Sequence, residues 1–538
     1  MSDPVWWKTG IIYQIYPRSF QDSNGDGIGD LEGVRSRLDY LVRLGVDAIW
    51  LSPFYPSPMA DFGYDISEYC DVDPQFGSLD DFDALLADAH GRKVKVIVDL
   101  VPNHTSDQHP WFIQSRATRT NPRRDWYLWR DPKPNGGPPN NWLSNFGGSA
   151  WTLDPATGQY YFHAFLKAQP DLNWRNPDVR DAMYDVMRFW LKRGVDGFRV
   201  DVIYHLIKDD LFRDNPLNPV AGPAEQSSHA VIPLYTTDRP EVQDVIVEMR
   251  RVTDEFGGAD SQRVLIGEIY LPLARLMAYY GRDESGILRG VQLPFNFQLI
   301  AAKWEGRAIE RLVREYESAL PGGGWPNWVL GNHDKSRIAS RVGMEQASVA
   351  AMLLLTLRGT PTMYYGDEIG MQDVPIPRDE IQDPFERNEP GKGVGRDPER
   401  TPMQWDESPN AGFTTGRPWL RLAENCGTRN FAAVERDPQS ILSLYKRLIV
   451  LRRQHAALTE GAYEPIRTEG QLLAFVRVHD TERLLVAANF GAEPVAIPAT
   501  LLPPSAVVVV STHLDCDGPV GQPLMLRPNE GMIIASPS

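Results

Sequence analysis

The sequence predicts a (β/α)₈ barrel, an α/β fold, carrying an inserted loop-rich subdomain and a C-terminal β-sandwich. Three observations support this. Short β-branched runs alternate with amphipathic helical stretches from the N-terminus to about residue 370, the pattern of parallel βαβ units. Several predicted strands end in acidic or amide residues, and active sites form at the carboxyl ends of barrel strands. The last ~80 residues change to short strands separated by turn residues, as a sandwich requires.

The predicted strands include Asp47–Leu51, Val94–Leu100, Gly197–Val202 and Val264–Glu268. Between them, Leu31–Leu44 and Leu79–His90 have the apolar spacing of amphipathic helices. The alternation runs too long for a minimal barrel, so insertions are expected. One is 105–175, rich in Pro, Gly, Asn, Trp and Arg with little helical period; a second irregular stretch spans 371–419. The expected barrel is therefore 1–104 plus 176–460. The sandwich, 461–538, contains the strands Leu472–Val478, Arg483–Ala488 and Ala506–Ser511.

The 538 residues imply two or more domains. Hydrophobic residues make up 42% and charged residues 23%, the balance of a soluble globular protein. A formal net charge of −16 disfavours nucleic acid and anionic membrane surfaces as partners. It leaves a neutral ligand such as a sugar open. Cys70, Cys426 and Cys516 are too scattered for a disulfide framework or a zinc site and fit a reducing compartment. The first residues lack a basic segment followed by an apolar run, and no apolar run reaches ~18 residues. The expected location is the cytoplasm; the oligomeric state stays open.

The strand ends carry the chemistry. Asp99, Asp201 and Glu268 close three predicted strands, and Asn332-His333-Asp334 follows a fourth, Trp328–Leu330. Any one such residue can be explained as the N-cap of the next helix; four of them, each in a polar cluster, point to a site. Breaking an acetal takes a proton on the leaving oxygen and a negative charge facing the oxocarbenium-like carbon. Arg199 and Asp201 alternate onto one face of their strand, so the guanidinium is expected to keep Asp201 ionised as a nucleophile. Glu268 follows the apolar run Val264–Ile266, where a partly desolvated carboxyl could hold its proton and act as the acid.

Asp99-Leu-Val-Pro-Asn103-His104, Gly197-Phe-Arg199-Val-Asp201, Gly267-Glu268-Ile and Asn332-His333-Asp334 resemble, in order, the four short regions of the α-amylase family, glycoside hydrolase family 13. Trp7–Phe20, Asp22–Asp30, Asp61-Phe-Gly-Tyr64-Asp65-Ile and Arg400-Thr-Pro-Met-Gln-Trp405 resemble its branch of α-glucosidases and oligo-1,6-glucosidases. The resemblance implies Asp201 as nucleophile, Glu268 as acid/base and Asp334 as the carboxylate that binds the distorted sugar. His104, Arg199 and His333 would line the same subsite. Asp61 and Arg400 would pair at the non-reducing end of the glucose, with Tyr64 as stacking platform and Phe165 as a further wall.

In Asp22-Ser-Asn24-Gly-Asp26-Gly-Ile28-Gly-Asp30, alternating oxygen ligands on a glycine-bent loop suit a hard cation. Asp22, Asn24, Asp26, Asp30 and the Ile28 carbonyl would hold structural Ca²⁺, with Mg²⁺ as the alternative; a solvated acidic turn is the plain reading. The expected activity is that of a retaining, exo-acting α-glucosidase on short substrates such as maltose, working through a glucosyl-Asp201 intermediate. The long proline-rich segment from His205 through Leu211, Phe212, Pro216, Pro219, Gly222-Pro223 and Ile232–Tyr235 either covers the acceptor side and favours glucosyl transfer to hydroxyl acceptors or is a solvated surface loop with no part in the outcome. Oligo-1,6-glucosidase, trehalose synthase, sucrose isomerase and trehalose-6-phosphate hydrolase activities on this scaffold remain alternatives. Val202, after the nucleophile, is a residue often found in α-1,6-acting members, and linkage stays open. The non-enzymatic transporter heavy chains that resemble this family carry a membrane anchor and generally lack the full set of acids, which does not match this chain.

Overall fold

The computed structural model describes residues 5–219, 230–258, 262–521 and 523–536. Eight parallel strands close into a barrel in sequential order: β1 (Ile12–Ile15), β2 (Ala48–Leu51), β3 (Lys95–Leu100), β4 (Gly197–Val200), β5 (Val264–Gly267), β6 (Leu293–Asn296), β7 (Asn327–Val329) and β8 (Thr360–Tyr364). β8 returns to pair with β1, Ile12 opposite Thr362. The interior is filled by Ile12, Trp50, Ile97, Ile266, Phe295 and Val329, so the barrel is a packed core whose chemistry is confined to one rim.

Local sequence sets the helix ends. Leu79–Gly91 begins at a reciprocal capping box between Ser78 and Asp81. Pro177–Arg193 starts with Asn176 as cap and proline in its first turn, and it stops at Gly194, whose φ of 111° only glycine adopts readily. The expected single helix Leu31–Leu44 is two, Leu31–Ser36 and Leu38–Leu44. Arg37 leaves helical geometry between them, donating to Gln21 (2.8 Å) and lying 4.1 Å over the Trp405 ring. A tertiary cation–π contact overrides the local period there.

The insertion after β3 is more ordered than its composition suggested. It holds a helix, Pro110–Ala117, and a three-stranded antiparallel sheet of Trp129–Arg130, Gln159–Phe162 and Trp151–Asp154. Trp142, Trp151 and Phe162 form its own small core. The stretch 371–419 carries only short helices, such as Pro384–Asn388.

Beyond the last barrel helix, Ile441–Gln454, the chain forms a six-stranded antiparallel sheet faced by a two-stranded one. Alternation divides the larger sheet. Leu472, Ala474, Leu485, Ala487 and Ile534 face one small core, whereas Leu473, Phe475, Leu484, Val486 and Ile533 join the barrel core. Two fully buried arginines stitch the seam. Arg477 donates to the carbonyls of Thr356 (2.6 Å) and Gly461 (2.8 Å), and Arg452 to those of Leu355, Leu458 and Gly359. Leu355 and Thr356 end the helix Met344–Thr356, so these cations satisfy its last carbonyls and oppose its dipole.

Candidate active site

Strand register builds the centre of the site. Asp99 on β3 lies opposite Arg199 on β4, and Arg199 opposite Ile266 on β5. The ladder runs one residue further: the Asp201 N–H donates to Leu100 O (2.8 Å) and the Glu268 N–H to Val200 O (3.0 Å). Both carboxyls are thereby fixed on the same rim. Arg199 is fully buried and reaches three acids at once, Asp99 (2.8 Å), Asp201 (2.8 Å) and Glu268 (2.6 Å).

One guanidinium among three carboxyls changes the expected charge state. Burial pushes Asp201 well above the usual carboxylate range; Arg199 opposes this, and the neighbouring Glu268 and Asp99 add to it. Asp99 is pushed up to about 6, again by burial against the pull of Arg199. Arg199 therefore does not by itself hold Asp201 ionised, as the sequence suggested. Three ionised carboxylates around one cation would leave two uncompensated buried charges, so the cluster retains a proton. A pair of interacting carboxyls that shares a proton can divide the roles of nucleophile and acid.

Asp334 lies beyond β7 and is the carboxylate set to stay charged. Burial opposes its ionisation, but the guanidiniums of Arg396 and Arg400 outweigh it and hold the group well below the usual range. Arg400 donates to Asp334 at 2.7 Å and Arg396 at 3.3 Å. Here the structure corrects the expected pair. Asp61 bonds to Arg396 (2.7 Å), whereas Arg400 is spent on Asp334 and the His333 carbonyl (2.7 Å). Arg396 can reach Asp61 because fully buried Asp383 grips its Nε and Nη2 (3.1 and 2.6 Å) and accepts its backbone N–H (2.8 Å). Gln169, from the insertion, donates to the other Asp61 oxygen (3.1 Å). Arg396, Asp383 and Gln169 all escaped the sequence analysis. The Arg396-Asp-Pro-Glu-Arg400 spacing, one helical turn, was the available signal.

Tyr64, His104, His333 and Phe165 gather on the walls. Gln14 donates to His333 Nδ1 (2.8 Å), so its Nε2–H faces the Tyr64 hydroxyl (2.7 Å), which in turn lies 3.2 Å from Asp99. Burial lowers His333 well below its ordinary range and His104 to about 4, so both act as neutral rings. Half-buried Phe165 packs against His104 at 5.3 Å. Behind His104 a buried lysine links insertion to barrel: Lys208 pairs with Asp171 and donates to Asn103 (2.6 Å), and Asn103 reaches His104 Nδ1 (3.2 Å).

The loop 22–30 folds on itself. Asp22 accepts N–H groups of Asn24, Gly25 and Gly27 (2.9, 2.7 and 2.8 Å), Asn24 that of Asp26 (2.9 Å) and Asp26 that of Ile28 (2.8 Å). Asp30 caps the following helix at Gly33 (2.6 Å). The donor set is all oxygen, as a hard cation needs. Asp22, Asp26 and Asp30 do not draw together: among the described residues only His513, Asp515 and Glu530 bring such atoms within 4.8 Å of one another. That group is already bridged by Arg527 (2.7 Å to Asp515 and 2.6 Å to Glu530).

A closed parallel barrel with two interacting carboxyls and a charged third at its rim defines an enzyme equipped for glycosidic bonds. The chain belongs to the α-amylase family: residues 14–461 match the α-amylase catalytic domain, and 459–527 match a domain of unknown function, DUF3459. It is 43% identical to a probable α-glucosidase of Rhizobium meliloti over 91% of this chain and 90% of that one. It is 41% identical to an oligo-1,6-glucosidase of Parageobacillus thermoglucosidasius, covering 90% of this chain and 91% of that one. The solved α-glucosyl transfer enzyme XgtA superposes with a TM-score of 0.92 at 38% identity, over 99% of this chain and 100% of that one.

Replacing Arg396 tests the geometry directly. Arg396→Met strands Asp61 and Asp383 as buried, unpaired carboxylates, a change that costs about 3 kcal/mol or more. We expect a melting temperature lowered by several degrees and kcat/KM lowered about 100-fold or more, the scale of losing a positioned charge contact. A variant with parental kcat/KM would remove Arg396 from the site.

Proposed function

We propose that this enzyme is a retaining, exo-acting α-glucosidase that cleaves short α-glucosides such as maltose through a covalent glucosyl-Asp201 intermediate and passes much of the glucose to hydroxyl acceptors. The observation that carries it is the rim itself, with Asp201 and Glu268 in contact beside Arg199 and an ionic cluster of Asp61, Arg396 and Asp383 around Asp334. Asp201 attacks C1, Glu268 protonates the leaving oxygen and then takes the proton of the incoming hydroxyl, and Asp334 binds the sugar hydroxyls as the ring flattens. Ionic groups at one end admit one terminal sugar and stop a polymer from threading through.

Transfer draws on the acceptor side. Tyr270, two residues past Glu268, stacks on Phe297 with centroids 4.3 Å apart and remains 37% exposed, a flat surface for an organic acceptor. On the segment after β4, Leu211 (70%), Leu217 (77%), Ile232 (43%) and Leu234 (50%) are exposed, while Phe212 packs on Trp142. Gly222-Pro223 lies outside the described residues. Apolar walls hold an alcohol better than water. Oligo-1,6-glucosidase action is the second reading, favoured by Val202 after the nucleophile. The substrate is a neutral sugar. Among the described residues no helix is long and apolar enough to cross a membrane, and a cytoplasmic enzyme is the reading we adopt.

The experiment is proton NMR of the enzyme acting on maltose with an added phenolic or alkyl alcohol. We expect α-glucose to form first, an α-glucoside of the alcohol to accumulate, and soluble starch to be cleaved slowly. First-formed β-glucose would overturn retention, and two glucoses per maltose with no glucoside would overturn transfer.

The loop 22–30 is proposed to hold a structural Ca²⁺, or Mg²⁺, through Asp22, Asn24, Asp26, Asp30 and the Ile28 carbonyl. The cation would supply only folding energy, tying the loop that Gly27 packs against Arg417. Chelation should lower the melting temperature more than the initial rate. Unchanged melting after metal analysis confirms a metal-free protein would exclude the structural role.

A further inference from the structure

Val202 follows the nucleophile directly, and its backbone is left-handed, with φ 34° and ψ 45°. Among the described non-glycine residues with positive φ it is the only β-branched one. A branched Cβ collides with the flanking carbonyls in that region, so the conformation persists only where the surroundings compel it, and such outliers gather at functional sites. The turn has a visible result: it swings the Val202 N–H across to Glu268, where it donates to Oε2 at 3.0 Å.

The same oxygen lies 2.6 Å from Arg199 Nη2. Oε2 thus faces one donor, the amide, and one positive charge, the guanidinium, and cannot comfortably carry a proton. Donors saturating one carboxyl oxygen leave the proton to the other. Resting on the reading of Glu268 as acid/base, we propose that the Val202 backbone amide is a positioning group for catalysis, which together with Arg199 reserves Oε2 as an acceptor and keeps the transferable proton on Oε1. In the first half-reaction that proton moves from Oε1 to the glycosidic oxygen as the C1–O bond breaks with its electron pair and Asp201 bonds to C1. Glu268 is left as a carboxylate, stabilised at Oε2 by the Val202 amide and the Arg199 charge. In the second half an incoming hydroxyl bonds to C1, Asp201 departs with its electron pair, and the hydroxyl proton returns to Oε1.

Other charged and titratable groups face Glu268 without taking this role. Asp99 and Asp201 share Arg199 with it, and Tyr204 and Tyr270 lie near it on the loops after β4 and β5. The Val202 amide donates to Oε2, Arg199 faces it as a charge 2.6 Å away, and the Asp201 side chain hydrogen-bonds to Glu268. The amide does so because residue 202 turns left-handed; β4 continued as a strand would carry its N–H away from Glu268.

The test removes the N–H and keeps the side chain. The Asp201–Val202 peptide bond is replaced by an ester, using 2-hydroxy-3-methylbutanoic acid at position 202, and kcat/KM is measured for two α-glucosides. Methyl α-glucoside needs full protonation of its leaving group; a dinitrophenyl α-glucoside needs almost none. We expect the ester enzyme to lose about ten-fold or more on the first, the scale of a hydrogen bond to a charged group, and less than about three-fold on the second. Equal losses on both substrates would overturn the proposal. Val202→Gly keeps the N–H and relieves the strain, so it should keep the parental ratio between the substrates and melt no lower than the parent. A steeper leaving-group dependence in Val202→Gly would overturn it, including where the ester enzyme does not fold. The parent's turnover of either glucoside tests the underlying α-glucosidase reading separately.

Discussion

The rest of the site depends on one buried cation. Arg199 has no exposed surface and lies in the barrel between strands whose register brings Asp99 beside it and Asp201 and Glu268 onto the rim above. An isolated guanidinium there would be prohibitively costly, and an isolated acid equally so. Together they are tolerable, but the count does not balance. The surplus of acid, with burial, pushes Asp201 and Asp99 up against the pull of Arg199. The same arrangement explains why the acids can be close without both ionising.

The other end of the pocket repeats the logic with two cations. Arg396 and Arg400, one turn apart, share Asp334, and Asp61 and Asp383 complete the set. Here two cations face three acids: burial pushes Asp61 up, while Asp334, shared by both arginines, stays ionised. Asp201 and Asp99 are pushed up and Asp334 is held down, so the carboxyls of one rim differ in charge preference. The walls between them are neutral: two uncharged histidines, Tyr64 and Phe165, suited to a ring without charge.

Much of this was legible in the sequence, for physical reasons that also mark where legibility ended. Asp99, Asp201, Glu268 and Asp334 sit at strand ends, where alternation and burial constrain the residues before them. Tyr64, His104 and His333 adjoin those segments and are brought together with them. Arg396 was missed because its partner Asp61 is 335 residues away in the chain, joined only by the packing of an irregular segment against the rim. The pairing of Asp61 with Arg400 failed for the same reason: residues four apart on a short turn look equivalent until tertiary contacts choose between them. The break at Arg37 came from Trp405, another distant contact. A strand neighbour shows one cation beside Asp201, whereas the fold supplies three acids to that cation, and with burial they push Asp201 up against it. The left-handed turn at Val202 has no sequence signal, since a branched residue is the last one expected there.

The central claim is that Asp201, held by Arg199 at the rim, is the group that bonds to glucose. It is tested most directly by trapping with 5-fluoro-α-glucosyl fluoride, a substrate that forms the intermediate faster than it releases it, followed by proteolysis and mass spectrometry. The account predicts one glucosyl group on the peptide containing Asp201, located on Asp201 itself, and none in an Arg199→Lys variant that folds normally. A label on Glu268 or Asp334, or substrate turnover by the parent enzyme with no covalent adduct, would contradict it.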